Sequence, residues 1–332
     1  MSTVTARVPE PLKVPAKRVW GRLLSIASAR AHRDYDLERT LLLLGSPRSG
    51  TTWLMNLVCR LPGACPIFEP WNGRHDPVVA RLLEEEFPRI GPEEDLPELE
   101  TLLRLVLSGR HLTRWSSAYA SPAALLRADR FVVKFVRAMR AAGWLSARFP
   151  RNRTVVLLRH PCAVVRSMIS SRGRWNEWSR GEILEPVRRT LGDEVAPVLA
   201  RLRTREELLA AFWCADALAA VHETSAADAF VVTYEELVRE PEPTLARLFA
   251  HLREPVPEGA LEEAARPSET ANPGAAIRGG RDPLTAWRKG LDPEQVRRIV
   301  AVVRSFGIDY YGEDAMPDLR ALAAERRAGL VS

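Results

Sequence analysis

The chain has 332 residues, enough for one large α/β domain or two small ones with a substantial core. Hydrophobic residues make up 46% and charged residues 27%, the balance of an ordinary globular protein. The net charge of +6 is spread without basic runs or aromatic–basic interleaving, which excludes a nucleic-acid binder and favours a small anionic partner.

Four cysteines, Cys59, Cys65, Cys162 and Cys214, form no CxxC pair and no Cys/His ligand spacing, and read as reduced, mostly buried thiols. Nowhere do 18 apolar residues run together, and the N-terminus has no apolar core of signal-peptide length. The expectation is a cytoplasmic protein without a transmembrane segment. No internal repeat and no second-domain boundary is visible.

In chain order, residues 1–16 are interrupted by Pro9, Pro11 and Pro15 and read as an irregular arm. A single domain is expected over residues 17–320, beginning with an amphipathic helix to about residue 32. Leu41 to Leu44 is a short apolar run bounded by Gly45, which suits a strand covered on both faces. The turn Gly45-Ser-Pro-Arg-Ser-Gly-Thr-Thr52 follows, and a helix begins at Thr51 with Trp53, Leu54, Leu57 and Val58 on its inner face. Such a turn directs backbone N–H groups and hydroxyls to a helix N-terminus, where the dipole favours anions. A second short apolar step runs through Cys65 to Glu69-Pro70, and helical periodicity covers 78–90 and 97–109. Phe131 to Val136 reads as a strand, followed by a helix through Trp144 and Phe149. Thr154 to Leu158 is another strand, ending in Arg159 and turning at Pro161 into a helix that carries Ser167. Residues 172–203 lack clean periodicity and are a candidate substrate lid. Glu206 to His222 is strongly periodic, and Phe230 to Thr233 is a strand turning into a helix at Tyr234. Residues 266–290 are rich in Gly, Pro, Asn and Ser toward their start and read as a mobile loop. Asp292-Pro293 caps a helix to about Phe306. Strands alternating with helices predict an α/β fold with a P-loop-like parallel sheet flanked by helices, and ligands then lie beyond the carboxyl ends of the strands.

Gly45 and Gly50 have the Walker A spacing and Thr52 sits at its Ser/Thr position, but Thr51 stands where the phosphate-binding lysine belongs. The cation is Arg48, inside the loop. PRSGTTW after an apolar strand resembles the 5′-phosphosulfate loop of sulfotransferases that use 3′-phosphoadenosine 5′-phosphosulfate (PAPS). The resemblance spans roughly residues 40–310, and is specific in two segments. It implies that Arg48, Ser49, Gly50, Thr51 and Thr52 hold the 5′ end of the donor, with Arg48 neutralising charge there. Arg159 and Ser167, eight residues apart, resemble the family's 3′-phosphate pair. Tyr234 and Trp53 are carried over as neighbours of the adenine. Either Arg278-Gly279-Gly280 or Trp287-Arg288-Lys289-Gly290 stands in for the family's late RKG-type loop.

In phenol and steroid sulfotransferases a KxH step ends the second strand; here Lys134 matches and Val136 replaces the histidine. Glu69, about twenty residues after the loop, resembles the glutamate base of carbohydrate and some bacterial members. His75 is the alternative base, and Lys134 with Arg137 could assist at the sulfuryl group or bind an anionic acceptor. A glutamate among apolar groups is expected to have its pKa raised. The resemblance thus implies sulfuryl transfer from PAPS to a hydroxyl of a carbohydrate, glycosylated metabolite or other small molecule, with adenosine 3′,5′-bisphosphate (PAP) as product and no metal. A P-loop kinase and a non-catalytic nucleotide-binding protein are the alternatives. The oligomeric state and the acceptor's identity are not legible.

Overall fold

The computed structural model describes residues 24–171, 175, 177–266 and 282–329. Five strands, β1 (Leu41–Leu44), β2 (Ala64–Phe68), β3 (Arg130–Phe135), β4 (Arg153–Leu158) and β5 (Ala229–Thr233), form one sheet in the order β2-β3-β1-β4-β5. Every pairing is parallel, with Leu44 opposite Phe135 on one side and Val156 on the other. The expected α/β sheet flanked by helices is therefore present.

β1 consists of leucine alone because neither of its faces meets water. Leu42 and Leu44 join a core under the helices Ala142–Arg148, Pro161–Ser170, Arg205–Glu223 and Pro293–Ser305. Leu41 and Leu43 join the opposite core under Thr51–Val58 and Pro241–Leu252. Alternate side chains of a strand point to opposite faces, so a continuous apolar run is what two covered faces require. Helix Arg205–Glu223 is buried around most of its circumference. Helix Pro293–Ser305 starts at a capping box in which Gln295 N–H donates to Asp292 at 2.8 Å and Asp292 N–H to Gln295 at 3.0 Å.

Four stretches differ from the sequence expectation. The apolar step before Glu69 is a full edge strand, β2, and Pro66 is tolerated there because an edge strand need not donate on its outer side. The expected helix over 78–90 stops after Pro77–Leu82, since the chain leaves the helix to bury Phe87 and Ile90 before and after Pro88. Within 172–203, helices Arg180–Leu191 and Ala196–Arg201 are present; a Ser179–Glu182 capping box starts the first, and Pro186 inside it blurs the periodicity. A further helix, Leu319–Ala328, follows Pro293–Ser305, and Arg326 from it donates to the Ala229 carbonyl on edge strand β5. The N-terminal arm, the start of the first helix and residues 267–281 of the expected mobile loop lie outside the described residues. No helix among the described residues is long and apolar enough to cross a membrane.

Because Leu42 is wholly enclosed, Leu42→Ala is expected to lower unfolding free energy by about 2–5 kcal/mol. Urea denaturation checks this as a lower midpoint with an unchanged slope.

Candidate active site

The carboxyl ends of all five strands face the same edge, and each delivers a residue of interest. β1 runs into Gly45–Gly50, β2 into Glu69, β3 carries Lys134 near its end, β4 runs into Arg159 and β5 into Tyr234.

The loop after β1 is tightly folded. Ser49 donates to the Ser46 carbonyl both from its hydroxyl, at 2.7 Å, and from its N–H, at 3.1 Å. Gly50 is the helix N-cap, with φ of +102°, and a Cβ placed there would meet the Tyr234 ring at 2.9 Å. Only glycine suits that conformation and that approach. A glycine cap also has no side chain to occupy the first N–H groups of helix Thr51–Val58, so they remain suited to an anion.

Arg48 adopts a left-handed backbone, with φ of 69°. Its Nε donates to Ser167 Oγ at 3.1 Å, and its carbonyl accepts from Arg159 Nη1 at 3.1 Å. Burial and the like charge of Arg159 both disfavour the Arg48 cation, while Glu69 favours it. Two guanidinium groups held this close are a destabilised pair that a multiply charged anion would relieve. Arg159 lies 4.1 Å over the Tyr234 ring, its Nε is buried without a hydrogen-bond partner, and its carbonyl accepts from Trp213 Nε1 at 3.1 Å. Glu235 accepts from His160 N–H at 3.0 Å and from Tyr311 hydroxyl at 2.8 Å, locking the turns after β4 and β5 together. Trp53 packs on Tyr234 at 5.1 Å and donates to the Ala264 carbonyl at 3.1 Å; both rings are largely buried.

The second group surrounds Glu69, which also has a left-handed backbone, φ 43°. Lys134 Nζ donates to Glu69 at 2.8 Å and to Thr52 Oγ1 at 3.0 Å, and Arg137 donates to the other Glu69 oxygen at 2.7 Å. Burial works to raise the Glu69 carboxyl, but Lys134 and Arg137 outweigh it and hold the group below the usual carboxylate range. This corrects the expectation of a raised pKa: the enclosing side chains are cations as well as apolar groups. Burial lowers Lys134, against the pull of Glu69. Arg137 continues to Glu86 at 2.9 Å, and Glu86 to Arg74. His75 is stacked on Trp115 at 4.1 Å, and burial and then Arg137 lower its imidazole from the ordinary value. Phe68 joins Trp115 at 5.3 Å and Tyr119 at 4.3 Å beneath Lys134.

Arg48, Ser49, Gly50, Thr51, Thr52, Trp53, Arg159, Ser167 and Tyr234 thus adjoin one another, and Glu69, Lys134 and Thr52 join directly. Arg278, Gly279 and Gly280 lie outside the described residues. The other stand-in is described: Trp287 stacks on His160 at 4.7 Å, and Arg288 donates to the Glu313 carbonyl at 2.6 Å. Sequence reasoning missed Glu235 and Tyr311, whose side chains work from behind the site; a carboxylate directly after Tyr234 is the only local sign of them.

A sulfotransferase family model matches residues 41–258, most of the chain. Among solved structures, the sulfotransferase domain from the curacin biosynthetic pathway is 16% identical, covering 81% of this chain and 97% of its own, with a TM-score of 0.46. Mouse sulfotransferase SULT7A1, complexed with PAP, is 14% identical over 93% and 95% of the two chains, with a TM-score of 0.45. Sulfotransferase STF9 from Mycobacterium avium is 17% identical over 90% and 85%, with a TM-score of 0.43. The comparison with curated protein sequences finds no match. The kinase alternative, already short of its lysine at Thr51, is set aside by the family match. The chain belongs to the sulfotransferase family and is a sulfotransferase enzyme.

Proposed function

We propose that the enzyme transfers a sulfuryl group from PAPS to a hydroxyl of a carbohydrate, glycosylated metabolite or other small molecule. The observation that carries the donor assignment is the Arg48–Ser167–Arg159 cluster beside an N-terminally uncapped helix. One end of that surface suits a 5′-phosphosulfate and the other a 3′-phosphate, with Tyr234 and Trp53 between them toward the base.

In the reaction the acceptor oxygen attacks sulfur, the bond from sulfur to the bridging phosphate oxygen breaks, and PAP leaves. Glu69 takes the acceptor's proton. Lys134, bonded to both Glu69 and Thr52, spans the base and the phosphate loop, so its charge acts where negative charge develops on the leaving oxygen. Arg137 fixes the second Glu69 oxygen. Arg48 acts electrostatically, since a guanidinium does not give up its proton. The geometry favours Glu69 over His75 because Glu69 is bonded to Lys134, which also bonds Thr52 of the loop. Positive φ at both Arg48 and Glu69 also fits functional strain at these two positions.

The acceptor reading rests on Glu69 standing in for a strand-end histidine and on the Phe68, Trp115, Tyr119 and His75 rings beside it. The lid reading for residues 172–203 is supported by an ion pair from Arg189 to Glu85, adjacent to Glu86 and hence to Arg137.

Thermal shift tests the donor first: PAP at about 100 times its dissociation constant adds roughly 2.7 kcal/mol of stability. A rise with PAP and none with ATP and Mg²⁺ is expected; the reverse would overturn the donor assignment. Arg159→Ala should weaken PAP far more than adenosine 5′-phosphosulfate, which lacks the 3′-phosphate; equal weakening would remove Arg159 from that role. Glu69→Gln should cut turnover on the order of 100-fold or more while leaving PAP binding unchanged. Since a base must be ionised and Lys134 and Arg137 hold Glu69 below the ordinary carboxylate range, kcat/KM should stay level down to that range and fall only below it. An acid limb in the imidazole range would point to His75.

A further inference from the structure

Away from the residues of the candidate active site, a cavity of about 400 Å³ opens on the flank of edge strand β5. That volume falls within the range of small-molecule sites. Helix Leu319–Ala328 supplies most of the lining, and helix Pro241–Leu252 adds Arg247. Part of the lining is apolar: Val231 of β5 with Leu322, which is buried, and Leu319, which is 40% exposed. The rest is mainly cationic, from Arg247, Arg326 and Arg327.

The charges in this cavity do not balance. Glu236 is the carboxylate among its lining residues, and both of its oxygens are already engaged. One accepts from Arg247 at 2.7 Å, and the other from the Thr233 N–H at 3.1 Å and hydroxyl at 3.0 Å. Arg326 donates to the Ala229 carbonyl at 2.9 Å, its Nε is buried without a hydrogen-bond partner, and burial disfavours its charge. Glu325, beside it in sequence, is paired with His222 instead. Among the described residues no carboxylate pairs with Arg326 or Arg327. Ser225, also in the lining, spends its hydroxyl on the Val221 carbonyl at 2.6 Å. The last turn of a helix favours cations, which explains arginine at 326 and 327. It does not explain why they share an apolar-lined cavity with an arginine from a second helix.

We propose that this cavity binds a small organic monoanion, its head group on the arginines and a short apolar body against Val231, Leu319 and Leu322. Guanidinium groups pair well with oxyanions, and a carboxylate and a sulfate monoester both offer that chemistry. This site does not depend on the donor assignment. Calorimetry on the full chain with hexyl sulfate, hexanoate, hexan-1-ol and inorganic sulfate is the test. At least one organic anion is expected to bind once per chain, about tenfold or more tighter than hexan-1-ol and inorganic sulfate. Hexyl sulfate ahead of hexanoate assigns a sulfate ester, the product class of the reaction proposed above; the reverse order assigns a carboxylate. Arg327→Ala should weaken the preferred anion about fivefold. Leu319→Glu, which sets a carboxylate in the lining at a first helical turn that favours acidic residues, should weaken it more. Both positions are exposed, so neither change threatens the fold. Arg159→Ala should leave the affinity unchanged. Failure of both anions to bind, equal binding of hexan-1-ol, or an affinity unmoved by Arg327→Ala and Leu319→Glu would overturn the proposal. So would a loss on Arg159→Ala, which would place the anion at the candidate active site instead.

Discussion

β1 lies at the centre of a parallel sheet with helices on both faces, and this constraint organises the rest of the molecule. A strand enclosed on both faces has no place for a charge along its length, so Leu41 to Leu44 carry none. Parallel pairing turns every strand the same way, so the first positions free to be polar all fall at one edge. That is why Arg48, Glu69 and Arg159, far apart in sequence, become neighbours. It is also why that edge is crowded with cations: four of them (Arg48, Lys134, Arg137 and Arg159) are placed by the ends of β1, β3 and β4.

The cations are balanced differently on the two sides. Toward β2 and β3 the carboxylates Glu69 and Glu86 pair with Lys134, Arg137 and Arg74. Toward β4, Arg48 donates to the Ser167 hydroxyl, and Arg159 donates to the Arg48 carbonyl and lies over the Tyr234 ring. Cations at the β4 side are in keeping with the anionic donor proposed above. Lys134 marks the boundary, since it bonds both Glu69 and Thr52 of the loop.

Much of this was legible in the sequence, for a physical reason. Residues that touch a phosphate must combine a tight turn, a helix start and a fixed cation, and those needs leave a compact local pattern from Gly45 to Trp53. The strand-end arginine with a serine two helical turns later is nearly as local. Residues that act from behind the site leave no such trace. Trp213 sits within a helix whose periodicity reads as core, and Tyr311 follows that helix by nearly ninety residues. The Glu69 ionisation was misjudged because its two cations arrive from β3, and a one-dimensional reading shows the apolar neighbours Phe68 and Trp71 first. The helices within 172–203 were obscured by Pro186, and the end of the 77–82 helix by the pull of Phe87 into the core.

Placing a helix as central as Arg205–Glu223 behind the site has a consequence for motion. A loop that must grip a donor and release its product cannot be welded to the core, yet its two ends of charge must keep a fixed spacing. The bond from Trp213 to the Arg159 carbonyl and the two bonds from Ser49 to the Ser46 carbonyl meet both demands. They set distance and direction at two points and leave Gly50 and the backbone between them free to adjust. Support from a side chain rather than from a packed apolar contact is the arrangement that allows spacing to be rigid while the grip is not.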